Sequence, residues 1–167
     1  LDASAEAGDL YAVVGFRLGV TLSEHGAVAR AICEAEADGT LRHIVEVLGL
    51  EKDDGGARAP DGKGGFRHYS ADTPVSLNLW GLHPSAFAKL REGFSRFLAA
   101  RGHDLRAEFY LPDALGELIA RGEALVRLLS TPDPWFGMTH RADGPYVSER
   151  LHALHREGAY PERLFAA

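Results

Sequence analysis

Pro74-Val-Ser-Leu-Asn-Leu-Trp-Gly-Leu82, followed by His83-Pro84, is the stretch that decides the fold class. The run is uncharged and largely apolar, as a buried strand is. Pro84 suits the first turn of a helix, where its missing N–H would have no partner anyway. Phe87, Leu90, Phe94, Phe97 and Leu98 then recur at steps of three and four, which predicts a helix with these five on its inward face. Gly102 stands where that helix would stop. A buried strand feeding an amphipathic helix is the building unit of an α/β or mixed α+β protein.

Upstream, Leu10 to Leu18 is apolar, with no charge before Arg17, and reads as another buried strand. Thr21 to Gly26 is polar and reads as a loop. Val28 to Glu36 and Thr40 to Val47 flank Ala37-Asp38-Gly39, and Asp-Gly between two strand-like runs is a hairpin signal. Residues 51–70 hold five glycines with Asp53, Asp54, Asp61 and Lys63, and composition predicts a flexible excursion there. Its glycines lack phosphate-loop spacing. Downstream, Pro112 to Arg121 predicts a helix with Leu115, Leu118 and Ile119 inward, closed by Gly122. Leu125 to Leu129 predicts a strand. Pro145 opens a last helix carrying Val147, Leu151 and Leu154, with Gly158 as its end. The expected architecture is a mixed sheet flanked by helices, in one domain over residues 1–167.

At 46% hydrophobic, 167 residues are enough for a substantial core. The formal charge of −6 argues against a nucleic-acid partner, which needs clustered basic surface. No run approaches the ~20 apolar residues of a membrane span. The single cysteine, Cys33, excludes an internal disulfide framework and sits in an apolar run as a core residue would. With no signal peptide visible, a cytoplasmic protein is expected. The chain begins at Leu1 and its only methionine is Met138, which reads as a processed product, a designed chain or a fragment.

An ordered set of segments carries a functional resemblance. These are Tyr11-Ala-Val-Val-Gly-Phe16, Thr21-Leu-Ser-Glu-His-Gly26, Asp72-Thr-Pro-Val-Ser-Leu-Asn-Leu-Trp-Gly81, Ala107-Glu-Phe-Tyr-Leu-Pro112 and Trp135-Phe-Gly-Met-Thr139. Together they resemble the C-terminal half of the sugar-phosphate nucleotidyltransferases, also called nucleotide-sugar pyrophosphorylases. The resemblance implies a partial nucleotidyltransferase fold, GT-A-like and Rossmann-like. It implies a substrate-side role in transferring a nucleotidyl group from a nucleoside triphosphate to a sugar phosphate or similar phosphate ester, with Mg²⁺ as cofactor of the full enzyme. The family's Gly-rich triphosphate loop and its metal-binding aspartate do not occur in this sequence. A truncated sheet would expose strand edges and apolar surface, which would favour a homodimer.

Residue by residue, the resemblance implies substrate binding by Arg30, Glu46, Asn78, Trp80 and Glu108. Glu46 stands on the carboxylate that accepts sugar hydroxyls, while Val47 replaces the lysine that pairs with the sugar phosphate. Arg30, Arg42 or a residue elsewhere would have to supply that charge. An amide suits hydroxyls and an indole suits a sugar ring, so Asn78 and Trp80 face the sugar in this reading. Read structurally, they are a core tryptophan beside an asparagine that satisfies backbone groups. Glu108 would shape the site entrance and Asp113 start a helix. Gly137 stands where relatives carry a second Mg²⁺ ligand, and glycine has no side chain to coordinate with. Asp133 and Asp143 flank it as substitutes, and no metal ligand is assigned.

Other chemistry is less well supported. His152 and His155 share a helical face without a third ligand. Ser23-Glu24-His25 lacks the strained turn of a hydrolase nucleophile, and Ser23 and His25 read instead as candidate substrate contacts. The reading from another class is a non-catalytic binding or assembly module that keeps the fold, which Val47 and Gly137 favour.

Overall fold

Strand β1 (Leu10–Arg17) runs beside the last strand of the chain and parallel to it. The computed structural model describes residues 10–160. After β1 come β2 (Val28–Ala35), β3 (Leu41–Asp53), β4 (Gly56–Pro60), β5 (Phe66–Ser70) and β6 (Pro74–Gly81). Helices α1 (Ser85–Arg101) and α2 (Leu111–Ala120) follow, then β7 (Leu125–Ser130) and helix α3 (Gly144–Arg156). Among the described residues the seven strands form one mixed sheet in the order β5-β4-β3-β2-β6-β1-β7. Only β1 and β7 pair in parallel. The α/β class expected from the strand-to-helix step at Pro84 is what forms.

The sheet curls. The β2–β3 turn reaches round to the far edge strand, where the Leu128 N–H donates to the Gly39 carbonyl at 2.8 Å and Arg127 donates to the Asp38 carbonyl. Gly39 has φ +83, a left-handed conformation that glycine adopts without a Cβ penalty. The two faces of the curled sheet carry separate cores. One holds Tyr11, Val13, Ala31, Cys33, Ile44, Leu115, Leu118 and Val126, under α2 and the start of α1. The other holds Leu18, Val28, Ile32, Leu50, Ala57, Ala59 and Val75.

Two expectations need correction. Residues 51–70 form strands, not a loose excursion: β3 continues to Asp53 and turns through β4 and β5. The reason is alternation among small residues. Ala57 and Ala59 point the same way and are fully buried in the second core, a period-two pattern that glycine and aspartate counts obscure. In the β4–β5 turn the Asp61 carboxylate accepts the Lys63 and Gly65 N–H groups at 2.7 and 2.9 Å. Secondly, the predicted inward face of α1 is largely uncovered: Phe87 is 70% exposed, and Phe94 and Leu98 are exposed too. The helix meets the sheet near Ala86 and Leu90, while Phe94, Phe97 and Phe109 pack on one another with centroids 5.3–6.1 Å apart. The last helix forms as expected from Pro145, as α3, and it buries none of its residues. No helix among the described residues is long and apolar enough to cross a membrane.

Helix α2 lies hard against β3. A Cβ on Gly116 would stand 2.7 Å from the Ile44 carbonyl oxygen, which is backbone and cannot rotate away. Gly116→Ala should therefore cost more in overlap, about 1–3 kcal/mol, than the ~1 kcal/mol it gains in helix propensity. A net loss on the order of 1 kcal/mol is expected, read as a lower urea midpoint at unchanged slope.

Candidate functional site

Arg30 points away from the α2 face, because its neighbour Ala31 points into it. A guanidinium on a sheet face must find acceptors, and Arg30 is only 7% exposed. Its Nε donates to the Thr21 hydroxyl at 3.2 Å and Nη1 to the Ala29 carbonyl at 2.7 Å, while Nη2 donates to the Thr21 carbonyl. The two bonds to Thr21 hold down the 3-10 turn Leu18–Thr21 that leaves β1. The guanidinium also lies over the Trp135 ring, 5.0 Å from its centroid. Burial pulls its pKa below the ordinary value, opposed by the charge of Glu46.

Above Arg30 is a cavity of about 440 Å³. One wall is the stretch from Gly19 to His25; the other is Pro134 to Gly137 with Thr139, Asp143 and Tyr146. Asp143 clasps the two walls together. Its Oδ1 accepts the Ser23 hydroxyl at 2.9 Å, and its Oδ2 accepts the N–H groups of Thr139 at 3.0 Å and His140 at 2.7 Å. These donors, the His140 N–H first among them, hold the carboxyl below the usual aspartate range. His25 stands at the rim, its Nε2 4.0 Å from Asp143.

Gly137 has a packing role that the resemblance read from the sequence did not show. A Cβ there would lie 2.6 Å from Cζ2 of the Trp135 indole. Glycine at this position makes room for the ring that stacks on Arg30.

The five substrate-binding candidates divide between the two faces of the sheet. Arg30 lines the cavity. Residues directly paired across strands share a face, and one such row runs Glu46, Ala31, Ser76, Gly15, Ser130. Glu46 therefore stands on the opposite face from Arg30, half buried. Burial raises its pKa first, the Asp113 carboxylate second, and Arg30 works against both. The Asp113 carboxylate also accepts the Glu46 N–H at 2.8 Å, so Asp113 links α2 to β3 as well as standing in the first turn of the helix. Trp80 pairs with Val13 and belongs to the α2-side core. Asn78 sits in the bulge of β6 at φ +62, with its N–H donating to Ser76 Oγ at 3.0 Å and its Oδ1 accepting the Trp80 indole N–H at 3.2 Å. Glu108 lines another recess, against α1 and α2 with Phe97 and Tyr110, and accepting the Tyr110 hydroxyl raises that phenol's pKa. Glu46, Asn78 and Trp80 do not line the Arg30 cavity.

The other candidates fall as follows. Ser23 and His25 line the Arg30 cavity. Arg42 is exposed and paired with Glu36 at 2.9 Å. Val47 pairs with Arg30 across the strands and packs against the second core. Cys33 is buried, and burial pushes its thiol up to about 12. Trp135, Thr139 and Tyr146 line the cavity without having been singled out from the sequence. The Trp135–Thr139 segment was the available signal, though nothing in it says which side chains face inward.

The residues present do not fit Mg²⁺. Both Asp143 oxygens already accept protein donors, and Asp133 accepts the Thr131 hydroxyl at 2.8 Å on the exposed surface. No group of three or more His, Cys, Asp or Glu suited to a metal occurs among the described residues.

Two tests follow from this geometry. Gly137→Ala should force the indole off Arg30, at a cost of about 1–3 kcal/mol, with altered near-ultraviolet circular dichroism from Trp135. Asp143 has a lowered folded-state pKa, so the stability it contributes is complete above the unfolded aspartate value of about 3.9. That contribution is lost as pH falls through the lower folded value. Urea midpoints recorded from pH 6 to pH 2 should fall less steeply below about pH 4 in Asp143→Asn than in the parent.

No family model matches this chain, and no curated protein matches it.

Proposed function

We propose that this chain is the substrate-side portion of a sugar-phosphate nucleotidyltransferase. The observation that carries this reading is a convergence. Two resembling segments more than a hundred residues apart, Thr21–Gly26 and Trp135–Thr139, meet as the walls of one cavity floored by Arg30. A mixed sheet with helices is compatible with the partial GT-A-like fold that the resemblance implies.

In the reaction, an oxygen of the acceptor phosphate attacks the α-phosphorus of a nucleoside triphosphate. The bond to the β-phosphate breaks, and pyrophosphate leaves with the electron pair. The residues of this chain would position the acceptor. Ser23, Thr139 and Tyr146 offer hydroxyls, Trp135 an aromatic surface, and Asp143 holds the two walls at a fixed separation. Fixing the acceptor in this way lowers the barrier by orientation, without a charged group of this chain entering the bond changes. Glu46 and Trp80 lie across the sheet from the cavity, so their assignment to the sugar has less support than that of Ser23 or Arg30.

The non-catalytic module is the second reading, and the Asp143 geometry favours it. A carboxylate whose oxygens are both taken up in holding loops together is a structural element. The two readings share a binding prediction and divide on turnover. The 167-residue chain should bind a sugar phosphate in titration calorimetry yet show no pyrophosphate exchange. The full-length polypeptide should exchange pyrophosphate into a nucleoside triphosphate when given the matching nucleotide sugar. Ordinary exchange rates from the 167 residues alone would overturn the substrate-side assignment. Absence of exchange by the full-length polypeptide would leave the binding module.

A further inference from the structure

We propose that the Arg30 cavity receives the uncharged, hydroxyl-bearing part of the acceptor and that the acceptor's phosphate stays outside it. This rests on the nucleotidyltransferase reading and specifies which end of the substrate the cavity takes.

The argument is one of charge and of donors already used. Among the described residues Arg30 is the only arginine or lysine in the lining, and it is largely committed. Its Nε, Nη1 and Nη2 each donate to Thr21 or Ala29, which takes three of its five N–H groups, and the Trp135 ring lies over its plane. A phosphate is best held by a guanidinium presenting two parallel N–H groups, and the Nε–Nη2 edge already gives its pair to Thr21. The other ionisable lining groups are His25, Asp143 and Glu24. Glu24 is paired with Lys52 on the surface, and Asp143 is an ionised carboxylate at neutral pH, held below the usual aspartate range first by the His140 N–H. A phosphate dianion entering here would meet the Asp143 carboxylate and a guanidinium whose Nε–Nη2 edge is already engaged.

The same lining suits a polyol. Thr139 and Tyr146 carry hydroxyls that both donate and accept, Ser23 Oγ gives its proton to Asp143 and keeps one lone pair for accepting, and Trp135, Phe136 and Tyr146 supply apolar ring surface. Arg30 then acts through Trp135. It is a positioning residue that supports the aromatic platform, and Gly137 is the space that lets the indole lie there. A volume of about 440 Å³ lies within the range for small-molecule sites.

Ligand-observed saturation-transfer NMR on the full 167-residue chain tests this. The probes are glucose, mannose, ribitol and inositol, each free and as its monophosphate, with inorganic phosphate as competitor. The expected result is that at least one free polyol binds within about threefold of its monophosphate, which is ~0.65 kcal/mol. Inorganic phosphate should not displace it, and Trp135→Phe should weaken both forms together while Phe87→Ala, at an exposed position of α1 outside the lining, weakens neither. Should a monophosphate bind more than tenfold tighter than its free polyol, or inorganic phosphate displace it, the phosphate sits in the cavity. The inference then falls and the functional reading stands. If no free polyol and no monophosphate binds, both fall.

Discussion

A guanidinium buried on the face of a β-sheet is stable only where acceptors surround it, and that requirement at Arg30 organises one side of this protein. Its Nε and Nη2 hold the turn after β1 while Nη1 donates to the Ala29 carbonyl, and the delocalised cation beneath the Trp135 ring gives the segment after β7 a place to dock. β1 and β7 are neighbours, so the segments leaving their C-terminal ends emerge side by side over Arg30. In sheets with parallel strands, clefts form where chains leave the strand ends, and the cavity is of that kind. Asp143 then ties the segments to each other, accepting from Ser23 on one and from Thr139 and His140 on the other.

The two faces of the sheet have distinct duties. The α2 face is a packed interior closed by the β2–β3 turn against β7, with Leu115 and Leu118 of the helix set into it. Glu46 is the exception on that face, a half-buried carboxylate beside Asp113 that destabilises in its charged form. Such groups concentrate at functional sites, although structural networks perturb carboxylates too. The opposite face has its own small core, and the cavity sits at its margin, where Leu18 and Leu22 join that core. Arg30 and Glu46 stand on adjacent strands and feel each other through the sheet.

Gly137 shows how the loss of a side chain can be required by packing. Under the resemblance read from the sequence, glycine after Trp135-Phe136 stands for a vanished ligand. In the folded chain the Cβ that any other residue brings would collide with the indole. Aromatic support over Arg30 and a coordinating side chain at position 137 are mutually exclusive in this backbone. That exclusion, with both Asp143 oxygens already engaged, bears on the acceptor-positioning role proposed for this chain.

The uncharged runs at Leu10–Leu18 and Pro74–Leu82, the Asp-Gly turn and the helix punctuation at Pro84, Gly102 and Gly122 determined the elements and the α/β class. These signals are local: backbone geometry and hydrophobic periodicity act within a few residues. The strands of 51–70 were missed because burial there is carried by alternating alanines, too small to register against five glycines. The exposed face of α1 was missed because periodicity shows which side of a helix is apolar, while only its neighbours decide how much of that side is covered. The division of the candidates was likewise beyond reach, since the face on which Arg30 and Glu46 stand follows from strand order and register. Residues 23 and 143 meet because β1 and β7 pair in parallel, and pairing between distant strands is set by the packing of the whole chain.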